Sequence, residues 1–145
     1  MLHFRQATKK DARAIRGLIF RVGINPISLD WQRFLLVMNE KDQIIGCGQI
    51  KPHSDGTREL ASIAVIPEFQ GRGIGTEIIT RLMENEPLPV YLTCRSILGS
   101  YYQQFGFQRV SPSELPPYFR RISHVAYWIN RFIPRTGQMW VMVKR

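Results

Sequence analysis

One stretch limits the folds open to this chain more than any other. It reads Glu59-Leu60-Ala61-Ser62-Ile63-Ala64-Val65-Ile66-Pro67-Glu68-Phe69-Gln70-Gly71-Arg72-Gly73-Ile74-Gly75-Thr76. It passes from an almost wholly apolar strand, through a glycine-rich turn, into a helix. Such a strand suits the middle of a sheet that is covered on both faces. Glycine lets the turn take unusual dihedrals and lets a ligand approach the backbone. A helix start aims unpaired N–H groups and the positive end of its dipole at one spot, which favours an anion such as phosphate. Arg72 adds positive charge beside it. No GxxxxGK[ST] string is present. The spacing Gly71-x-Gly73-x-Gly75 also departs from the GxGxxG of dinucleotide folds.

The rest of the chain builds a sheet around this segment. Apolar and β-branched runs predict strands over residues 2–6, 33–40, 43–51, 58–66, 90–94, 107–110 and 139–143. Thr8 with Asp11 reads as a capping box. Ala12, Ile15, Leu18, Ile19 and Val22 follow at helical spacing, and Gly23 ends that helix. Residues 25–31 form a short second helix or a loop. Further helices are expected over 74–83, 98–105 and 118–133. There is no repeat, low-complexity tract or linker, so residues 1–145 read as a single mixed α/β domain around one sheet.

Gln70, Gly73 and Gly75 meet the pattern Gln/Arg-x-x-Gly-x-Gly/Ala after an apolar strand. In this the chain resembles the GNAT superfamily of acyl-coenzyme A-dependent N-acetyltransferases. A second stretch, Tyr101-Tyr102-Gln103-Gln104-Phe105-Gly106-Phe107, is similar to the family's tyrosine before Gly-Phe, with Tyr102 in the tyrosine position. The resemblance covers about residues 2 to 110. It implies a GNAT fold of class α/β (α+β): a single mixed, mostly antiparallel sheet of six to seven strands flanked by about four helices. It implies acetyl-coenzyme A as co-substrate, held by Ile63, Ala64, Val65, Gln70, Gly71, Arg72, Gly73, Ile74, Gly75 and Thr76. The backbone near Ile63 and Val65 would carry the pantetheine arm and polarise the carbonyl. The amine would attack directly, and Tyr102 would protonate the departing thiolate. Many members carry Asn where this chain has Arg95, which puts one cofactor contact in doubt.

Glu59 is the candidate general base. It is an acid at the start of an apolar strand, where partial burial tunes a carboxyl towards the working range. The competing reading is a rim carboxylate paired to Arg58 or another arginine. His53 and His124 read as surface or structural residues. Cys47 and Cys94 lie in apolar runs, where buried, inert thiols are expected, and no Cys/His cluster suggests a metal.

The net charge of +9 is uneven: after Glu114 come Arg120, Arg121, Arg131, Arg135, Lys144 and Arg145 with no acid among them. Ile122, Val125, Ile129 and Phe132 mark a core-facing stripe on the last helix, and the arginines favour an acceptor bearing a carboxylate or phosphate. The expected acceptor is a small-molecule amine, a metabolite or amino acid. The alternatives are a protein amine, or a catalytically silent coenzyme A-binding sensor. No stacking platform or recognised motif points to nucleic acid. No apolar run reaches membrane-spanning length, and no secretory leader is evident. A cytoplasmic protein able to form a homodimer is expected.

Overall fold

A computed structural model describes the backbone of residues 1–132 and 138–145, and the side chains of 1–128 and 138–145. The expectations for Ile129, Arg131, Phe132, Ile133 and Arg135 lie outside the described side chains or residues. Seven strands form one mixed sheet: β1 (His3–Gln6), β2 (Phe34–Met38), β3 (Ile44–Pro52), β4 (Arg58–Val65), β5 (Val90–Arg95), β6 (Gln108–Arg109) and β7 (Met139–Lys144). Their order across the sheet is β1-β2-β3-β4-β5-β7-β6. Among the described residues four α-helices accompany them: α1 (Ala12–Val22), α2 (Ile74–Met83), α3 (Gly99–Gln103) and α4 (Pro117–Phe132). This is the fold class the sequence implies. The chain groups into two compact units, Met1–Lys51 with Leu60–Glu86, and Pro52–Glu59 with Pro87–Arg145.

The first unit follows from period-2 and period-3.6 patterning. In β2, Phe34, Leu36 and Met38 pack with Ile15, Leu18 and Ile19 of α1, while Val37 packs with Ile74 and Ile78 of α2. Both faces of the strand are therefore buried, and its five residues are all apolar. β3 alternates in the same way. A methyl added at Gly48 would stand 2.7 Å from atoms of both Ile63 and Ile78, so α2 lies close only because that side chain is absent. Cys47, Gln49 and Lys51, on the opposite face, are buried. At the head of α1, Asp11 accepts from the Thr8 amide at 2.7 Å and from both terminal nitrogens of Arg5 at 2.8 and 3.0 Å. The first turn, Lys9–Asp11, is 3-10 rather than α. Gly23 stops the helix at φ +81, donating to Ile19 O at 3.0 Å. Residues 25–30 form a loop, and a 3-10 turn, Trp31–Arg33, leads into β2.

In the second unit β5 and β7 pair antiparallel from Val90↔Lys144 to Arg95↔Met139. Tyr91, Val141 and Val143 share one face and pack with Phe119 and Leu115. On the other face, Trp140 lies so close to α3 that a methyl on Gly99 would stand 2.3 Å from its ring. Within the described side chains, the expected core stripe of α4 is buried only near its start. Phe119 is fully buried and Ile122 packs against the core, but Val125 is 57% exposed, as are Tyr127 and Trp128 to similar extents.

Candidate active site

The glycine turn belongs to the first unit. Pro67–Phe69 makes one 3-10 turn after β4. Gly71 and Gly73 then take φ +77 and +79, a region that costs an L-residue about 1–2 kcal/mol. Gly73 is the N-cap of α2, and no atom lies within 4 Å of where its Cβ would be. The space in front of the helix is open. Gln70 folds back to donate to Val65 O at 2.8 Å, and Arg72 donates to Glu68 O at 3.2 Å while lying over the Phe69 ring. Among the described residues of this unit, a cleft of about 560 Å³ lies between Phe4, Arg33 and Arg81, and another of about 520 Å³ lies between Met1, Lys41, Phe69 and Arg72, so the turn's own Arg72 helps to line the second. The turn itself is surface. Helix geometry leaves the first-turn N–H groups without acceptors inside α2, a setting that favours an anion.

Upstream, β4 contains a feature the sequence did not reveal. Ser62 has φ +58, a left-handed residue inside a strand, immediately before Ile63 and Val65. Such strain costs on the order of 1–3 kcal/mol and persists only where neighbours fix it. The fixing group is Gln49, which is fully buried. Its amide donates to Ser62 Oγ at 2.8 Å and to Ser28 O at 3.3 Å, and accepts from Arg33 Nε at 3.2 Å. Ser28 is itself left-handed, at φ +59. One buried amide thus ties two strained serines together, one in the sheet and one in the 25–30 loop. Lys51, two residues along the same face of β3, donates to Ile27 O at 3.0 Å.

The candidate catalytic side chains, Glu59 and Tyr102, belong to the second unit. Glu59 is 7% exposed and lies beside Tyr91 in the parallel β4–β5 pairing. It is not paired to Arg58, whose guanidinium donates to Pro87 O. Its partner is His53, with Nε2 2.7 Å from Oε1. Thr93, on the same face of β5 as Tyr91, stands 3.5 Å from Oε2. The turn that joins β3 to β4 makes this pairing. His53 N donates to Thr57 O at 2.9 Å, Gly56 N donates to His53 O at 3.0 Å, and Gly56 sits at φ +86. Asp55 accepts from the Thr57 hydroxyl and amide with one oxygen and from the Tyr118 amide, at 2.9 Å, with the other. Burial opposes its ionisation, but these donors outweigh it and hold the carboxyl below its ordinary range. The Tyr118 phenol is pushed up, first by burial and then by the charges of Glu59 and Asp55.

Tyr102 lies on α3, the side of β5 that carries Cys94 and, across the β5–β7 pairing, Trp140. Its ring meets Tyr101 edge-on at 5.1 Å and Phe107 at 6.4 Å. Its carbonyl accepts from Phe105 N at 3.1 Å, which fixes the turn into Gly106, at φ +93. Burial pushes its phenol up to about 12, with Cys94 and Tyr101 adding to the effect. A solvated phenol would sit near 10. At about 12 the group stays protonated and acts as a firm hydrogen-bond donor. The thiols are pushed up by burial too, Cys47 to about 12 and Cys94 to about 11, so neither is a ready nucleophile.

Sequence reasoning passed over His53 as structural and did not single out Gln49, Ser62, Asp55 or Thr93 at all. A signal existed for His53: the Ser54-Asp55-Gly56 turn is centred between positions 53 and 59. None existed for Gln49, since a glutamine within a strand looks like a solvated position. Arg95 is exposed at the end of β5, and Arg120 is engaged with Leu115 O at 3.0 Å. Among the described residues no cluster of His, Cys, Asp and Glu is placed to hold a metal, and no helix is long and apolar enough to cross a membrane.

Comparison with known proteins bears on these arrangements. Residues 30–109 match the acetyltransferase (GNAT) domain. No curated protein matches the sequence. Among solved structures, N-acetylglutamate synthase from Neisseria gonorrhoeae, complexed with coenzyme A and N-acetyl-glutamate, superposes with a TM-score of 0.75 at 21% identity. That match covers 100% of this chain and 35% of that one, so the chain spans about a third of the synthase. Escherichia coli ElaA gives 0.72 at 17% identity and covers 100% of both chains. PaiA N-acetyltransferase from Thermoplasma acidophilum, in complex with coenzyme A, gives 0.64 at 14%, covering 100% of this chain and 99% of that one. These likenesses show a shared fold.

Proposed function

Because the chain belongs to the acetyltransferase (GNAT) family, we propose that it moves an acetyl group from acetyl-coenzyme A to the primary amine of a small metabolite or amino acid. The observation that carries this reading is the placement of Glu59 and Tyr102 about β5. Glu59 lies with Tyr91 and Thr93, whose side chains share one face, while Tyr102 lies on the side of Cys94. Direct transfer needs a base for the incoming amine and a donor for the outgoing sulfur, and these two side chains are of the types that supply them.

The donor substrate takes the turn of the first unit. Its pyrophosphate is held by the backbone from Gln70 to Thr76, with Gly71 and Gly73 admitting close approach and Arg72 adding charge. The pantetheine arm runs along Ile63, Ala64 and Val65, which follow the left-handed Ser62. Glu59, directly or through water, removes a proton from the acceptor ammonium. The freed nitrogen lone pair attacks the thioester carbonyl; as the tetrahedral adduct collapses the C–S bond breaks, the nitrogen gives up its second proton, and a proton is delivered to the departing sulfur, giving amide and free thiol. Tyr102 donates its hydrogen bond to the departing sulfur. A phenol near 12 is a weaker acid than an exposed thiol, so its contribution is stabilisation of the developing charge as much as transfer of the proton.

The acceptor class is supported by the solved structure that holds N-acetyl-glutamate. The exposed Arg121 on α4, beside the Tyr118 phenol, supports a carboxylate- or phosphate-bearing amine. The free thiols of Cys47 and Cys94 suit a reducing cytoplasm. The test has two stages. Acetyl-coenzyme A should raise the melting temperature of the protein. A panel of amines, acidic and neutral, is then assayed for free thiol release with wild type and Arg120→Ala/Arg121→Ala. Absence of both stabilisation and turnover would sink the proposal, and equal rates on neutral and acidic amines would sink the acceptor class.

A further inference from the structure

Glu59 needs no partner to act as a base, yet the second unit gives it one and encloses that partner. The His53 and Glu59 side chains are each 9% exposed. The imidazole is stacked on Tyr118, with ring centroids 3.5 Å apart and planes at 14°, and meets Phe119 edge-on at 5.7 Å. Its backbone is pinned at both ends by the turn. Rotating the ring away from Glu59 would break these contacts together. A carboxylate can only accept, so the imidazole nitrogen facing it carries the proton.

We infer that His53 is the positioning residue of the base: its Nε2–H donates to Glu59 Oε1 and leaves Oε2, beside Thr93, as the atom that takes the acceptor's proton. The inference rests on Glu59 being the base. In the step, one N–H bond of the acceptor ammonium breaks and one O–H bond forms at Oε2. The Nε2–H bond of His53 stays intact throughout. The groups that face the pair come from three elements. Asp55 in the turn lies within reach of the imidazole's charge, Tyr118 of α4 covers the ring, and Arg121 bears on the Tyr118 phenol.

The experiment compares Glu59→Gln, His53→Phe, His53→Gln and His53→Asn, by kcat against pH and by the KM for acetyl-coenzyme A. Phenylalanine keeps the stack on Tyr118 and removes the donor. A buried carboxylate that has lost a donor holds its proton to higher pH. The acid limb of the kcat profile should therefore move up by about one pH unit, and kcat at pH 7 should fall about tenfold. The KM for acetyl-coenzyme A should stay within about twofold, because the side chain replaced meets Glu59, Tyr118 and Phe119, none of which is proposed to hold the cofactor. His53→Gln, whose amide can donate across the same gap, should recover most of the rate, and the shorter His53→Asn should not. If Glu59→Gln keeps wild-type kcat, the base assignment fails and this inference with it. If Glu59→Gln loses activity but the His53 variants keep the wild-type acid limb, the inference alone is overturned. Should His53→Phe fail to fold, equal profiles for His53→Gln and His53→Asn overturn it equally.

Discussion

Replacing Gly73 by alanine separates what the turn does for folding from what it does for a ligand. Gly73 sits at φ +79 and ψ 8, and a Cβ there meets nothing within 4 Å. There is no clash to relieve, so the cost to the folded protein is the left-handed conformation alone, about 1–2 kcal/mol. For a chain of this size that is a fall in melting temperature of roughly 5 °C. The added methyl projects into the space where the pyrophosphate is proposed to sit, against the donors at the head of α2. Loss of close approach should weaken coenzyme A at least tenfold, or about 1.4 kcal/mol. Saturating ligand at about 100 times its dissociation constant stabilises the wild type by about 2.7 kcal/mol. At that same concentration a tenfold weaker variant should gain only about half as much. Differential scanning fluorimetry with and without coenzyme A measures both terms, and isothermal titration gives the affinity directly. A variant that melts lower by the expected amount but keeps wild-type affinity would refute the assignment of the turn to the pyrophosphate.

Three further outcomes follow from the geometry. Gln49→Leu removes three hydrogen bonds from a fully buried position and should cost about 3 kcal/mol, near 10 °C in melting temperature, while lowering kcat through the loosened Ser62; an unchanged melting curve would mean the network is idle. Tyr102→Phe should lower kcat about a hundredfold with little change in the KM for acetyl-coenzyme A, and a phenol pushed up to about 12 predicts that wild-type kcat shows no decline from this group up to about pH 9; a fall near pH 10 that the variant abolishes would contradict the buried setting. Asp11→Asn should destabilise the protein by about 1–2 kcal/mol at pH 7. The Arg5 guanidinium, and after it the Thr8 donors, hold the folded carboxyl well below its ordinary value, so its contribution is present above about pH 4 and fades as the pH falls below that. Urea denaturation at pH 7 and pH 3 should show the gap between variant and wild type narrowing at the lower pH.

The elements that could be read from sequence are those governed by local chemistry. The α2 helix has the same ends in sequence and structure, Ile74 and Met83, because a left-handed glycine starts it and Pro87 lies just past it. The α1 stop at Gly23 was legible for the same reason. Glu59 was legible as a candidate because it is an acid at the head of an apolar strand, and Tyr102 through the resemblance of residues 101–107 to the family's tyrosine before Gly-Phe. What remained hidden depends on contacts between segments far apart in the chain. The His53–Glu59 pair needs the turn to close, and the stack on Tyr118 needs α4 to dock. The left-handed Ser62 needs Gln49 from another strand to hold it, and no composition rule marks a serine for that. Val125 fits the helical stripe of α4 yet is exposed, since periodicity tells which residues share a face and not how far along the helix that face is covered.

Asp55 joins two parts of the chain that lie far apart in sequence. It accepts from a turn residue two positions away and from Tyr118, 63 positions away. One carboxylate thus fastens the first turn of α4 to the hairpin that carries His53, while the exposed residues further along, Val125, Tyr127 and Trp128, lie beyond that fastening. The ring that covers His53 is therefore held in place at the start of the helix, and a change at Asp55, far from Tyr118 in sequence, would reach that ring directly.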